Sequence, residues 1–247
     1  YSELGNDEEE KSKLTNLNEK LTERLATQCK KSKVKHFIYT SSISAGEKSG
    51  TSVVDENNGI PISPYGFSKL QTEELLTNIS KDSFKITILR PTALFGENHK
   101  GSIYELTKRI FNKTFIIFGS GKNKTNFYYV RDFINLLEVI PGDERFYNKT
   151  FIASAEPCEL NDLITWIYKS LKCTHTIFRV PLFLGYLLAL IFEAFSIITS
   201  RPLSFSLRRM RAMTSDEICS NKKLKQIYSS TNDYGTEVGI SRTVEWF

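Results

Sequence analysis

Two short apolar runs with a helical segment between them limit the folds open to this 247-residue chain more than any other feature. The runs cover residues 34–39 and 84–89 and are rich in β-forming residues, so both predict buried strands. Between them, two prolines precede a segment from about Tyr65 to Ile79 that predicts a helix. Because strands joined through a helix run parallel in one sheet, the sequence predicts an α/β fold.

The pattern changes beyond Gly96, where short strands mix with helices in the manner of a smaller α+β region. Apolar residues at helical spacing also predict a helix before the first strand. The further predicted helices begin at Leu14, Ile103, Asp132 and Leu160, and the further predicted strands cover residues 115–118, 127–130, 150–153 and 176–180.

The net charge and the placement of the cysteines and histidines narrow the range of possible functions. The formal net charge is +5, but the 33 lysines and arginines are spread along the chain, so nucleic acid is not an expected partner. The four cysteines contain no Cys-x-x-Cys pair and the three histidines are scattered, which disfavours a zinc site or a disulfide framework. We therefore expect no metal, and reduced thiols of the kind found in cytoplasmic proteins.

Tyr65 and Lys69 are one helical turn apart, so both side chains lie on the same face of the predicted helix. A phenol ordinarily has a pKa of about 10, and a neighbouring ammonium favours the phenolate and lowers that pKa. Ser42 follows the first predicted strand, at the carboxyl end where ligands bind in parallel sheets. Its hydroxyl can hydrogen-bond the substrate oxygen that exchanges a proton with Tyr65. We predict Ser42, Tyr65 and Lys69 as the catalytic residues.

Residues 34–42, 63–70 and 89–96 together resemble the extended short-chain dehydrogenases/reductases, also called the NAD-dependent epimerase/dehydratase family. The resemblance implies a partial Rossmann-type parallel sheet in residues 1–95 and a substrate-binding region in residues 96–247. It also implies NAD or NADP as the cofactor. The residues that it assigns to the cofactor are Thr40, Ser41, Tyr65, Lys69 and Pro91, and those that it assigns to the substrate are Ser42 and Tyr129.

Two departures from the family pattern bear on the function. Thr125-Asn126 stands where nucleotide-sugar members carry Arg-Asp, so the arginine that grips a sugar-nucleotide phosphate is absent at that point. The sequence also has no Gly-x-x-Gly-x-x-Gly turn, whose backbone amides would receive the dinucleotide pyrophosphate. We interpret the chain as one that begins within the fold, with that turn in a preceding segment.

The leading hypothesis is an NAD(P)-dependent oxidoreductase that acts on a secondary alcohol or ketone of a small molecule by hydride transfer. The alternative among enzymes is a nucleotide-sugar epimerase or dehydratase. An alternative of another class is a catalytically silent protein that uses the same fold for binding. The substrate, the choice between NAD and NADP, and the oligomeric state stay open, with a homodimer among the options.

Residues 180–199 form an apolar stretch as long as a membrane span. Glu193 lies inside it, and Pro181 and Gly185 lie near its start, so we predict a helix that does not cross a bilayer. Its apolar surface would cover the substrate cleft or touch a membrane. Four arginines follow, at positions 201, 208, 209 and 211. A peripheral contact with anionic lipid through residues 180–211 is therefore one of the options.

Overall fold

The computed structural model describes residues 19–46, 53–57, 59, 61–80, 83–173, 177–199, 206–231 and 233–247. The predicted helix start at Leu14 and the first residue of the predicted strand at 176–180 lie outside these ranges. The helices are α1 (Leu21–Lys31), α2 (Pro64–Ile79), α3 (Ser102–Phe111), α4 (Val130–Val139), α5 (Leu160–Leu171), α6 (Leu182–Thr199), α7 (Leu207–Thr214), α8 (Lys222–Lys225) and α9 (Gly235–Trp246).

The strands are β1 (His36–Thr40), β2 (Val53–Val54), β3 (Lys85–Pro91), β4 (Ala93–Phe95), β5 (Ile116–Phe118), β6 (Lys124–Thr125), β7 (Phe127–Tyr129), β8 (Lys149–Ala153), β9 (Cys158–Glu159), β10 (Phe178–Val180) and β11 (Ile218–Cys219). Short 3-10 turns cover Ile43–Ala45 and Glu144–Phe146. Two- and three-residue strands make isolated pairs: β2 with β11 and β5 with β10 in parallel, β6 with β9 antiparallel, and β4 with β7.

β1, β3 and β8 form a parallel sheet with β3 in the centre. Thr40 pairs with Leu89, so the carboxyl ends of β1 and β3 lie at one edge of the sheet. The predicted α/β fold with a parallel sheet is therefore confirmed. The prediction that β3 ends at Leu89 is wrong by two residues, because pairing with β8 continues: Pro91 pairs with Ala153, and the Thr92 amide donates to the Ala153 carbonyl oxygen at 3.0 Å.

Helices cover both faces of this sheet. Successive side chains of a strand point to opposite faces, so Ile88 and Leu89 of β3 belong to different layers. Ile88 packs with Ala26 of α1 and Leu76 of α2 in one buried cluster. Leu89 packs with a second cluster that includes Leu136 of α4. A parallel sheet with helices on both faces is the arrangement of dinucleotide-binding α/β folds.

The described residues fall into two compact units. The first takes residues from Tyr1–Leu94, Asn126–Glu156 and Ile218–Gly235, and it contains the parallel sheet. The second takes residues from Phe95–Thr125, Pro157–Glu217 and Thr236–Phe247, and it contains α3, α5, α6 and α7. The assignment of cofactor binding to residues 1–95 and of substrate binding to residues 96–247 stays a prediction.

The apolar stretch at 180–199 is helix α6 for most of its length. Within the part of the chain that the structure describes, no helix combines the length and the apolar character that crossing a bilayer requires. Over the same residues, no group of His, Cys, Asp and Glu side chains is arranged to hold a metal ion.

Candidate active site

Lys69 lies in the second turn of α2 and reaches the carboxyl end of β1. Its ammonium donates hydrogen bonds to the Tyr39 hydroxyl and to the Thr40 carbonyl oxygen, each at 3.3 Å. The Nζ atom also lies 5.8 Å from the centre of the Tyr65 ring and 5.0 Å from that of the Tyr39 ring. The two hydrogen bonds hold the lysine cation at the carboxyl end of β1, beside the ring of Tyr65, the residue that the sequence predicts as acid and base.

Burial shifts the pKa values of the two groups that meet here, the Lys69 ammonium and the Tyr39 phenol, in opposite directions. It lowers the pKa of the Lys69 ammonium, and the Glu73 carboxylate opposes that change. It raises the pKa of the Tyr39 phenol, so Tyr39 keeps its proton near neutral pH. The lysine charge thus acts in a half-buried position, where less water screens it than at the surface.

A close approach of two backbones brings the start of α2 to the loop after β1. Pro64 opens the helix, and the Ser63 hydroxyl caps it by accepting from the Gly66 amide at 3.1 Å. A Cβ atom on Gly66 would lie 2.3 Å from the Ser44 carbonyl oxygen, so only glycine permits this contact. Ser42 begins the same loop, and its hydroxyl accepts from the Ser44 amide at 3.2 Å. The structure therefore brings Ser42, Tyr65 and Lys69 to the carboxyl end of β1.

The other predicted site residues have varied surroundings. Thr40 is exposed at the end of β1, and Pro91 ends β3 at the same edge of the sheet. Ser41 is buried, and both its hydroxyl and its backbone amide are engaged within the protein, with the Glu73 carboxylate at 2.5 Å and with a β3 carbonyl. Tyr129 is fully buried, with the Tyr234 ring edge-on at 5.8 Å. The ligand contacts of these four residues stay predictions.

A buried ion pair beneath the site was missed by sequence reasoning. The Arg90 side chain is 1% exposed, and its Nε and Nη2 atoms donate to the two oxygens of Glu73 at 2.9 and 2.6 Å. Because Ser41 also donates to Glu73, the carboxylate ties α2 to the carboxyl ends of β1 and β3. One signal was available: Glu73 follows Lys69 by four residues, which places it on the same helical face.

The residues at this edge fit the nicotinamide end of a dinucleotide. The Thr92 hydroxyl, directly after Pro91, is buried and has no hydrogen-bond partner in the described structure, which suits a polar ligand group such as a carboxamide. The Lys69 ammonium has donors that suit the hydroxyls of a ribose. The glycine-rich turn that would hold the pyrophosphate does not occur in this sequence.

A doubly covered parallel sheet with serine, tyrosine and lysine residues near a strand end is typical of nucleotide-dependent α/β enzymes of the dehydrogenase type. The model of the NAD dependent epimerase/dehydratase family matches residues 1–141, more than half of the sequence, and the chain belongs to this family. The predicted resemblance, enzymatic class and nicotinamide cofactor are confirmed at the level of the family, which is NAD-dependent.

Three similar proteins are epimerases. The N-acetyl-α-D-glucosaminyl-diphospho-ditrans,octacis-undecaprenol 4-epimerase of Escherichia coli O157:H7 is 25% identical over 236 residues, which are 91% of this chain and 69% of that protein. The UDP-glucose 4-epimerase of Vibrio cholerae is 30% identical over 138 residues, 54% of this chain and 42% of that enzyme. The UDP-glucuronic acid 4-epimerase of Bacillus cereus, solved in complex with NAD, has a similar fold, with a TM-score of 0.66 at 22% identity, covering 93% of this chain and 66% of that one. These similarities favour the epimerase or dehydratase alternative over net oxidation or reduction.

Proposed function

We propose that this protein is an NAD-dependent epimerase that inverts a secondary alcohol centre of a sugar carried on a diphosphate. The observation that carries the proposal is the position of Lys69, held by Tyr39 and Thr40 at the end of β1 with its charge beside the Tyr65 ring. Inversion is favoured over net oxidation because the similar proteins named above are 4-epimerases. The proposal applies to the whole protein, since the chain matches only part of the length of each relative.

In this proposal the side chains move and hold protons. The Tyr65 phenolate takes the proton of the sugar hydroxyl as the carbinol carbon is oxidised, and returns it when the opposite configuration is formed. The Ser42 hydroxyl holds the same oxygen in line, and the Lys69 charge favours the phenolate. When bound, NAD would supply the hydride chemistry as acceptor and then donor of the same hydride, with no net redox change. Lys69, Pro91 and Thr92 would hold its nicotinamide end.

The diphosphate carrier is a nucleoside or a polyprenol. Position 125 is a threonine and offers no cation to a nucleotide phosphate. The amide of the neighbouring Asn126 is used within the protein: it donates to the Ala155 carbonyl oxygen at 2.7 Å and accepts from the Cys219 amide at 2.8 Å. Assays with UDP-glucose and with undecaprenyl-diphosphate-linked N-acetylglucosamine distinguish the two carriers. Formation of the 4-epimer without accumulation of NADH supports the proposal, and stoichiometric NADH would restore the oxidoreductase hypothesis.

Variants of the full-length protein test the residues. Tyr65→Phe should reduce single-turnover proton transfer by about a hundredfold or more while sparing NAD affinity. Tyr39→Phe is the companion variant, because it removes a hydroxyl that Lys69 bonds from a tyrosine that keeps its proton, and it should slow turnover less than Tyr65→Phe does. Lys69→Met should weaken NAD binding as well as turnover, and Ser42→Ala should slow turnover alone. Wild-type turnover in a folded Tyr65→Phe variant would refute the mechanism.

A further inference from the structure

Helix α6 turns small residues toward the protein and large apolar residues away from it. Among residues 182–195 of the helix, Gly185 and Ala189 are the buried positions, and a Cβ atom on Gly185 would lie 2.7 Å from both Met210 and Phe118. Met210 belongs to α7 and is fully buried in this contact. The side of α6 that packs on its own unit is therefore its small-residue side, the reverse of an ordinary amphipathic surface helix.

The opposite side of α6 carries an exposed apolar stripe. Phe183, Leu187, Leu190 and Ile191 follow the i, i+4, i+7, i+8 spacing, and their exposed fractions are 69, 51, 52 and 55%. Leu182, Leu184 and Leu188 flank the stripe and are exposed as well. Large contiguous apolar patches on a protein surface mark sites of contact with a partner or a membrane, whereas single exposed leucines do not.

The charges around α6 indicate what the stripe contacts. Residues 182–214, which span α6 and α7, contain four arginines and a single acidic residue, Glu193. Three of the arginines belong to α7, which packs against α6 through Met210 and a 3.5 Å contact between the Tyr186 and Thr214 hydroxyls. Arg211 is exposed. An apolar helix beside a basic helix complements an anionic lipid surface, which offers both acyl chains and negative headgroups.

A second copy of the chain complements this surface poorly. Two-fold association through the stripe brings the same region of both molecules together, so the basic α7 of one copy would lie near that of the other. With one acidic residue against four arginines in residues 182–214, such an interface leaves like charges facing each other. The charge distribution therefore favours lipid over self-association.

We propose that α6 and α7 form an interfacial membrane-binding element, with the Phe183–Leu187–Leu190–Ile191 stripe inserted at the headgroup level of an anionic leaflet and the exposed Arg211 of α7 on the phosphates. The element lies on the membrane and does not cross it; among the described residues, no helix is long and apolar enough for a span. Binding of lipid by this surface does not depend on the reaction proposed above.

Vesicle flotation of the full-length protein tests the proposal. Vesicles of phosphatidylcholine containing one part in four of phosphatidylglycerol should carry the protein upward in the gradient, and phosphatidylcholine vesicles should carry less of it. Leu187→Gln with Ile191→Gln should weaken binding about tenfold or more, because two inserted side chains are lost. Ile134→Gln with Val139→Gln, at similarly exposed positions of α4, is the matched control and should bind like wild type.

The charge contribution is tested separately by Arg211→Gln, which should weaken binding to the anionic vesicles about fivefold and leave binding to the neutral ones unchanged. Absence of wild-type flotation, or unchanged flotation of the Leu187 and Ile191 variant, would overturn the proposal. The proposal would also be overturned if light scattering showed the wild type to be a dimer and the Leu187 and Ile191 variant to be a monomer, because the stripe would then be a protein interface.

Discussion

Removing the charge of Glu73 should destabilise the first unit far more than loss of an exposed ion pair does. Arg90 is 1% exposed and bonds both oxygens of this carboxylate, so its guanidinium has no access to water as a substitute partner. Breaking a buried pair by removing one partner destabilises by about 3–5 kcal/mol. Glu73→Gln keeps one acceptor oxygen, and we expect about 3 kcal/mol, with Glu73→Ala near the upper value. Against a typical stability of about 5–15 kcal/mol, either loss is large.

Urea unfolding followed by far-ultraviolet circular dichroism measures this loss. Both tryptophans, Trp166 and Trp246, belong to the second unit, so their fluorescence reports whether that unit unfolds in the same transition. Glu237→Gln is the matched control. Glu237 pairs with Lys169 at 3.4 Å on the surface, where the side chains are 51 and 77% exposed, and its loss should destabilise by less than about 1 kcal/mol.

A double-mutant cycle tests the physical reasoning. Ser41 loses its acceptor in every Glu73 variant, so the cycle is run in a Ser41→Ala background. Glu73→Leu combined with Arg90→Met should be more stable than Glu73→Leu alone, because an apolar pair leaves no buried charge. A loss of less than about 1 kcal/mol in Glu73→Gln, or single effects that simply add in the double variant, would refute the assignment of a tightly coupled buried pair.

Two further substitution or labelling experiments probe packing and thiol chemistry. Gly66→Ala should destabilise the protein by about 1–3 kcal/mol and slow turnover, because the new methyl group would lie 2.3 Å from the Ser44 carbonyl oxygen. Thermal unfolding of this variant and of the exposed control variant Ile62→Ala measures the loss. Equal melting temperatures and equal turnover rates would contradict the close approach of the two backbones. Burial raises the pKa of Cys158 from 9.0 to about 11, so its thiolate fraction falls about a hundredfold and iodoacetamide should modify it last. Mass spectrometry should find the half-buried cysteines Cys29, Cys173 and Cys219 labelled first, and equal labelling rates would contradict the burial of Cys158.

Elements with strong local signals could be predicted from the sequence. The predicted helix at 160–171 coincides with α5, whose start is fixed by a reciprocal cap between Glu159 and Asp162. The strand before Ser42 and the helix with Tyr65 and Lys69 were predicted within two residues, because apolar runs and prolines are local features. The two-residue strands β2 and β11 were not predicted, since they are too short for a periodic pattern and exist only as partners of each other.

In the candidate site, too, local features could be predicted from the sequence and contacts between different elements could not. Helical spacing alone relates Tyr65 to Lys69, but nothing local predicts that Lys69 bonds Tyr39, a residue of the preceding strand. The Arg90–Glu73 pair was missed for a related reason, because a charged residue at the end of an apolar run resembles the start of a loop. Its burial depends on a carboxylate supplied by a different element, and a pairing between elements has no signature in either segment.

The topology of the first unit also sets an order of assembly. The β1–β3 pairing joins Thr40 to Leu89 and the β3–β8 pairing joins Leu89 to Phe151, so the two pairings of the central sheet close loops of similar length. The β2–β11 pair instead joins Val53 to Ile218 across most of the chain. Because loop-closure entropy grows with the length of chain enclosed, and distant pairings slow folding, the central sheet can form before the β2–β11 pair. A protease encountering the partly folded chain would therefore cut beside β2 or β11 sooner than within β1, β3 or β8.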